Sequence, residues 1–168
     1  MVNFLVKGPF DIPIKKAANG AEFIDADRLG ELLTLADGGF TKPGCYVFSW
    51  NAGHGAVPVY VGRATGKLLK EAFNPRNLHN LAEYMNNKKR GKMQVSIVFQ
   101  ERVRLFSNKG AINKIEEFLI GHAARKNPEL LNIHGTNGDT WSIQGVANSG
   151  PGGPGQSAAD FKAMMGMN

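Results

Sequence analysis

The sequence predicts an α+β fold, a small central antiparallel sheet of about three strands flanked by helices. Two apolar, β-rich runs come first, Gly44–Cys45–Tyr46–Val47–Phe48 and Val59–Tyr60–Val61–Gly62–Arg63. They flank the turn-forming stretch Asn51–Ala52–Gly53–His54–Gly55–Ala56, which reads as an antiparallel hairpin with a longer loop. A further run over 93–99 alternates Val95, Ile97 and Phe99 with Gln94, Ser96 and Val98, the period of a strand. Around these runs lie stretches with apolar residues three and four apart, the spacing of helices.

A chain of 168 residues with 42% hydrophobic content supports one domain with short extensions. The net charge of +6 and a pI near 9.6 suggest a polyanionic partner or a solvated basic surface. Cys45 is the single cysteine, which excludes an intrachain disulfide and a cysteine-rich zinc site. The first residues lack the apolar core of a signal peptide, and no stretch has the length to span a bilayer. The expected location is therefore cytoplasmic, with no membrane partner.

Residues 3–16 read as extended, with Phe4, Val6, Ile12 and Ile14 alternating and Gly8–Pro9 and Pro13 interrupting, as in an edge strand or a small hairpin. Asp25–Ala26–Asp27 offers a helix start, Leu29, Leu32, Leu33 and Ala36 its stripe, and Asp37–Gly38–Gly39 its end. Residues 1–42 thus form an extension expected to pack on a main domain of 43–145. Within the hairpin, Tyr46, Phe48 and Trp50 share one face and Cys45, Val47 and Ser49 the other. In its second strand Val57, Val59 and Val61 oppose Tyr60 and Gly62. Both strands are apolar on both faces, which predicts a hairpin in the middle of the domain with two phenols on a rigid sheet.

Residues 64–74 read as a helix striped by Leu68, Leu69, Ala72 and Phe73, stopped by Pro75. Lys67 and Lys70 share another face of it, with Arg63 just before. Residues 76–87 read as a second helix running into Lys88–Lys89–Arg90–Gly91–Lys92. After the strand over 93–99, which Val103 and Phe106 extend or follow, residues 111–126 carry a stripe of Ile112, Ile115, Leu119, Ile120 and Ala123. At about 100° per residue, Glu116 falls within that stripe and Glu117 outside it. From the helix alone, Glu116 reads as a border residue that reaches solvent or meets a buried cation, because an unpaired carboxylate there is costly. Gly135–Thr136–Asn137–Gly138–Asp139 is a turn cluster and Trp141–Ser142–Ile143 a short strand. Residues 146–168 form a Gly/Pro-rich flexible tail, where Phe161, Met164 and Met165 suit a short helix docking on the domain or on a protein partner.

Gly44–Cys45–Tyr46 and Tyr60–Val61–Gly62 resemble the paired tripeptides of the GIY-YIG endonuclease superfamily in residue type, order and spacing. Downstream, Glu116, Leu119, Ile120, Pro128 and Asn132 are similar to that family's late-helix series. The resemblance covers residues 43–132 and departs at one point: Lys70 stands where the family has an arginine. Lysine keeps the charge but loses the bidentate fork. Three readings follow: Lys70 acts as a point charge, Arg63 or Arg76 reaches the same phosphate, or catalysis is weakened or lost.

The resemblance implies an endonuclease that hydrolyses phosphodiester bonds with Mg²⁺ (or Mn²⁺) at Glu116. Mg²⁺ suits a one-carboxylate site because it keeps several waters and binds phosphate. By the same resemblance Tyr46 is the candidate base, on condition that nearby cations lower its pKa. Tyr60 would orient water or phosphate, Arg63 and Lys70 stabilise developing charge, and Asn132 brace the site. Lys67, Arg76, His79, Lys88, Lys89, Arg90 and Lys92 are the expected nucleic-acid contacts, with DNA the expected substrate. His54, His79, His122 and His134 are not spaced as a metal pair. The alternative is a nucleic-acid-binding module of the same fold, catalytically weakened or inactive.

Overall fold

The paired runs form the expected hairpin, β4 (Gly44–Asn51) and β5 (Ala56–Ala64), antiparallel from Gly44↔Ala64 to Asn51↔Ala56. The structure is a computed structural model and describes residues 2–88, 90–102, 108–132, 141–147 and 155–167. Lys89, Val103, Phe106, His134, the 135–139 turn cluster and most of the Gly/Pro-rich linker lie outside the described residues. Tyr46, Phe48 and Trp50 enter one core, Cys45 and Val47 the other. Alternation fails at Val59. Phe48 pairs with Tyr60 but Ser49 with Pro58, so Val59 is the extra residue of a bulge. It joins the core on the Tyr46 side, while Val61 enters the opposite one.

The sheet is larger than the expected three strands or so. β6 (Lys92–Gln100) pairs with β4 as its alternation predicts, and its other edge takes β1 (Val2–Asp11). β7 (Trp141–Ile143) adds in parallel beside β1, giving the order β5-β4-β6-β1-β7. The extended N-terminal stretch therefore divides in two. β1 becomes an inner strand, while β2 (Ile14–Lys16) and β3 (Glu22–Ile24) form a separate two-stranded sheet. Gly8 makes the first part workable. Its φ is +113°, and a Cβ there would lie 2.8 Å from the Val95 carbonyl oxygen, so only glycine keeps β1 against β6 across the register shift.

One face of the large sheet carries α1 (Glu31–Leu35), α2 (Leu68–Ala72) and α3 (Pro75–Asn86), which bury Leu32, Leu68, Leu81 and Met85 against Phe40 and Phe48. The other face carries α4 (Lys109–Lys126) and α5 (Gln156–Met165), which bury Ile112, Ile115, Leu119 and Phe161. The helix expected over 64–74 is cut to Leu68–Ala72 because β5 runs on through Arg63 to Ala64, held by Gly44. α3 starts where Asn74 accepts a bond from the Asn77 N–H at 2.9 Å, with Pro75 in its first turn. α4 starts under Asn108, which accepts from the Ala111 N–H at 3.0 Å. The end of the tail is docked: Phe161, Met164 and Met165 are buried in the second core. Among the described residues no helix is long and apolar enough to cross a membrane.

β5 lies at the sheet's edge rather than in its middle. Its backbone is nevertheless engaged. The Asn127 Nδ2 donates to the Pro58 carbonyl at 2.8 Å and the Leu131 N–H to the Val59 carbonyl at 2.9 Å. The Asn132 amide accepts from the Val61 N–H at 3.1 Å and donates to the Val61 carbonyl. Side-chain amides thus stand in for a neighbouring strand along an edge that would otherwise invite pairing.

Candidate active site

Strand register distributes the candidate residues over two faces. Tyr46 pairs with Gly62 and Phe48 with Tyr60, so both phenols stand on the α2–α3 side. Cys45 pairs with Arg63, which sends Arg63 to the α4 side. The two glycines of the tripeptides have steric reasons. A Cβ at Gly62 would meet the Tyr46 Cε2 at 2.7 Å and its Cζ and Oη closer still, so the phenol lies across bare backbone. A Cβ at Gly44 would meet the Phe99 Cα at 2.7 Å, so glycine lets β4 approach β6.

Tyr46 is 3% exposed, whereas Tyr60 is half-buried. Their rings stack at 6.1 Å between centroids, 20° from parallel, and Phe48 meets Tyr46 edge-on at 5.5 Å. The Tyr46 Oη accepts a hydrogen bond from the Asn77 Nδ2 at 3.0 Å. Burial pushes the Tyr46 phenol well above its ordinary value, and the neighbouring Tyr60 adds to this; the Asn77 bond offsets only part. The condition placed on Tyr46 as a base is thus reversed by burial, and Arg63, which could have eased it, turns to the opposite face.

There Arg63 meets Glu116, with Nη1 2.5 Å from Oε2. The Glu116 side chain is 16% exposed and that of Arg63 is 44% exposed, so the pair lies at the margin of the α4 side. Burial raises the Glu116 carboxyl and Arg63 counteracts it. The glutamate inside the apolar stripe has therefore found a cation, 53 residues away in sequence. Glu116 adds the smallest of the influences that raise the Tyr46 phenol. Asn132 braces β5 at Val61, the residue before Gly62.

No family model, no curated protein and no solved structure matches this chain. The site must therefore be read from its own geometry. Lys67 caps α2 and Lys70 lies on it, both exposed; Arg76 and His79 are exposed on α3. Lys67, Lys70 and Arg76 have no ion-pair partner among the described residues. Lys88, Arg90 and Lys92 are elsewhere, around a cleft lined by Trp50, Met85 and Gly91. Trp50 lies four residues along β4 from Tyr46, about 13 Å at the strand rise. Two of these cations are already engaged. Lys92 pairs with Asp11 at 2.9 Å; Lys88 pairs with Glu129 at 3.6 Å and covers the Tyr84 ring at 4.8 Å.

Among the described residues no three His, Cys, Asp or Glu side chains gather as a metal cluster. Glu116 offers a carboxylate beside the tripeptides, and one of its oxygens is taken by Arg63. Asn77 is the site residue that sequence reasoning did not single out. Asn74–Pro75 signals a helix start, but nothing in the local pattern ties Asn77 to a tyrosine 31 residues earlier.

Proposed function

We propose that this chain is a metal-dependent endonuclease of the GIY-YIG type, acting on nucleic-acid phosphodiesters, with DNA the expected substrate. The observation that supports this most is the assembly around Gly62: Tyr46 across it, Tyr60 stacked on Tyr46, and the next residue, Arg63, bonded to Glu116. A lone carboxylate fits Mg²⁺ (or Mn²⁺), whose remaining positions go to water and substrate phosphate. Glu116 would hold the ion, which supplies neutralisation of charge on the phosphate and leaving oxygen.

The chain's own residues divide the remaining work. Arg63 presents a planar guanidinium at a half-exposed position and can trade its carboxylate partner for a phosphate oxygen. Lys70 and Lys67 add point charges from α2 on the tyrosine side. Tyr46 keeps its proton at neutral pH, since burial opposes the phenolate. Its part is hydrogen bonding rather than proton abstraction, and Tyr60, the more exposed phenol, is the one that meets solvent. Asn132 holds β5 in register behind Gly62 and Arg63.

The Arg63–Glu116 bond also favours a second reading, a binding module that does not cut, because it neutralises the carboxylate that would hold the ion. One assay separates the two. Single- and double-stranded DNA and RNA are incubated with Mg²⁺, Mn²⁺ or EDTA, comparing wild type with Glu116→Gln. Cleavage that needs the ion and disappears in the variant supports the endonuclease. Salt-sensitive binding without cleavage under any condition overturns it in favour of the binding module.

A further inference from the structure

The cleft around Trp50 takes no part in the chemistry proposed above. It has two compartments, of about 200 Å³ and about 260 Å³, that share Glu22, Trp50, Met85 and Gly91. The first is also walled by Ile12, Ile14 and Met93, so it is apolar and aromatic. The second opens toward Asn86, Lys88 and Arg90. The walls are held in place. The Trp50 indole is 6% exposed and meets Tyr84 edge-on at 6.0 Å. The Asn86 side chain accepts from the Glu22 N–H at 2.9 Å and donates to the Glu22 carbonyl at 2.8 Å, which ties β3 to the end of α3. Gly91 lets the basic run press against the indole. Its φ is +143°, and a Cβ there would lie 2.6 Å from the Trp50 Cζ2 and nearer still to Cε2 and Nε1.

The acidic groups of the cleft are already matched. Lys16 holds Glu22 and Lys92 holds Asp11, each at 2.9 Å. Arg90 is exposed and has no ion-pair partner among the described residues. Lys88 meets the exposed Glu129 at 3.6 Å, too long for a hydrogen bond. An apolar slot beside available cations suits a ligand with a flat apolar part and an anionic part a few atoms away. A nucleotide has that form. Each compartment is smaller than the about 300–1,000 Å³ of sites for drug-sized ligands, which fits one base and one sugar–phosphate divided between them.

We propose that this cleft takes one unpaired nucleotide, its base in the apolar compartment beside Trp50 and its phosphate at Arg90 and Lys88. An aromatic slot flanked by cations recognises single strands, since a base inside a duplex is paired and stacked and cannot enter. The cleft lies on the Tyr46 side of the sheet, and α3 joins the two places. Asn77 near its start bonds Tyr46, and Met85 near its end lines the cleft, about 12 Å further on at the helix rise. The path along β4 from Tyr46 to Trp50 gives about 13 Å. At about 3.4 Å per stacked nucleotide, the captured nucleotide stands about four steps from the phosphate that is cut, and fewer in an extended strand. The substrate is then a nucleic acid with a single-stranded stretch beside the cut. Its placement relative to the cut rests on the endonuclease reading; the occupant of the cleft does not.

The chain has six methionines, Met1, Met85, Met93, Met164, Met165 and Met167, so protein labelled with ¹³C at the methionine methyls carries two reporters in the cleft. The probe is tetrathymidylate in EDTA, with deoxyribose 5-phosphate, which has the charge and no ring, beside it. The ring current of an entering base is expected to shift the Met85 and Met93 lines, while Met164 and Met165, buried on the opposite face of the sheet, stay. Unmoved Met85 and Met93 lines overturn the proposal, as do equal shifts from the two probes. Lines that answer to an acidic leucine-containing peptide and not to tetrathymidylate also overturn it. Ile14 is 38% exposed, so Ile14→Glu places a carboxylate in the slot at little cost to the fold. It is expected to weaken tetrathymidylate binding roughly tenfold or more, the worth of one base on such a surface. Arg90→Ala is expected to weaken it several-fold and to lower the salt slope by about one. Full affinity in either variant overturns the assignment, and the wild-type lines decide it if a variant fails to fold. The two readings fail separately. Shifted lines in a protein that cleaves no substrate retain the cleft and remove the endonuclease; metal-dependent cleavage with unmoved lines does the reverse. Where both hold, a duplex with a single-stranded arm should be cut faster than a blunt one, and Ile14→Glu should bring that ratio toward one.

Discussion

Gly62→Ala is the substitution with the largest consequence for the smallest change in atoms. The added methyl would lie 2.7 Å from the Tyr46 Cε2 and nearer to Cζ and Oη, where no real contact fits. The ring has nowhere to go. Tyr46 is 3% exposed, its edge is held by Phe48 at 5.5 Å, its face by Tyr60 at 6.1 Å, and its hydroxyl by Asn77. Overpacking of this kind costs about 1–3 kcal/mol. Displacing the buried Tyr46 hydroxyl costs it the bond from Asn77, for about 1 kcal/mol more. The expected loss is thus about 2–4 kcal/mol, read by urea unfolding as a lower midpoint at unchanged slope. Gly66→Ala is the control, since a Cβ there meets nothing within 4 Å, and its midpoint should not move. The loss should also shrink when Tyr46 is truncated to Ala in the same chain. A Gly62→Ala protein as stable as wild type would refute the packing argument, and with it the role of Gly62 as the seat of Tyr46.

Four further outcomes are expected. Asn132→Leu removes both bonds to Val61 and should destabilise by about 1–3 kcal/mol, since the Val61 backbone is left unpaired at an edge; an unchanged unfolding midpoint would contradict this. Lys70→Arg restores the bidentate fork and should raise the rate of metal-dependent cleavage with little change in DNA affinity; a fall in rate would show that the lysine acts as a point charge. Lys67→Ala should weaken DNA binding and reduce the salt slope by roughly one, whereas Lys92→Ala, whose cation already faces Asp11, should do so less; the reverse ranking in salt titrations would move the interface to the Trp50 end. The Asp11 carboxyl is held below its ordinary 3.8 by hydrogen bonds from Lys92 and Gln94. Its contribution is therefore complete above that pH and is lost as pH falls through the lower folded value, so Asp11→Asn should flatten the acid limb of stability against pH.

Local patterns carried much of this fold. The alternation of Tyr46, Phe48 and Trp50 named their shared face, that of Val95, Ile97 and Phe99 a third strand, and the stripe from Ile112 to Ala123 the α4 face. What escaped was set by partners distant in sequence. The bulge at Val59 reflects how β5 meets β4 and breaks an alternation that looks continuous along the chain. Lys67 and Lys70 have helical spacing, but pairing of Ala64 with Gly44 carries the strand on and leaves α2 only five residues. β1 contains Gly8–Pro9, ordinarily the mark of an edge, yet it sits between β6 and β7 because Gly8 tolerates a φ of +113°. At the site, the choice of Glu116 over Glu117 followed from helical angle, and the cation it needs proved to be Arg63. The role of Asn77 could not be read in the same way, because a buried amide is specified by the three acceptors around it and not by its neighbours in the chain.

The amides along β5 tie the lifetime of the molecule to slow chemistry. Asn132 reads the Val61 backbone as a peptide group would, with one donor and one acceptor. Hydrolysis of that single side chain to aspartate would replace the donor with a negatively charged oxygen facing a carbonyl oxygen. The bond would turn repulsive, Val61 would lose its cover, and an exposed strand edge would be offered to other copies of the chain. Asn132→Asp, which makes the same change, should therefore self-associate more readily than wild type.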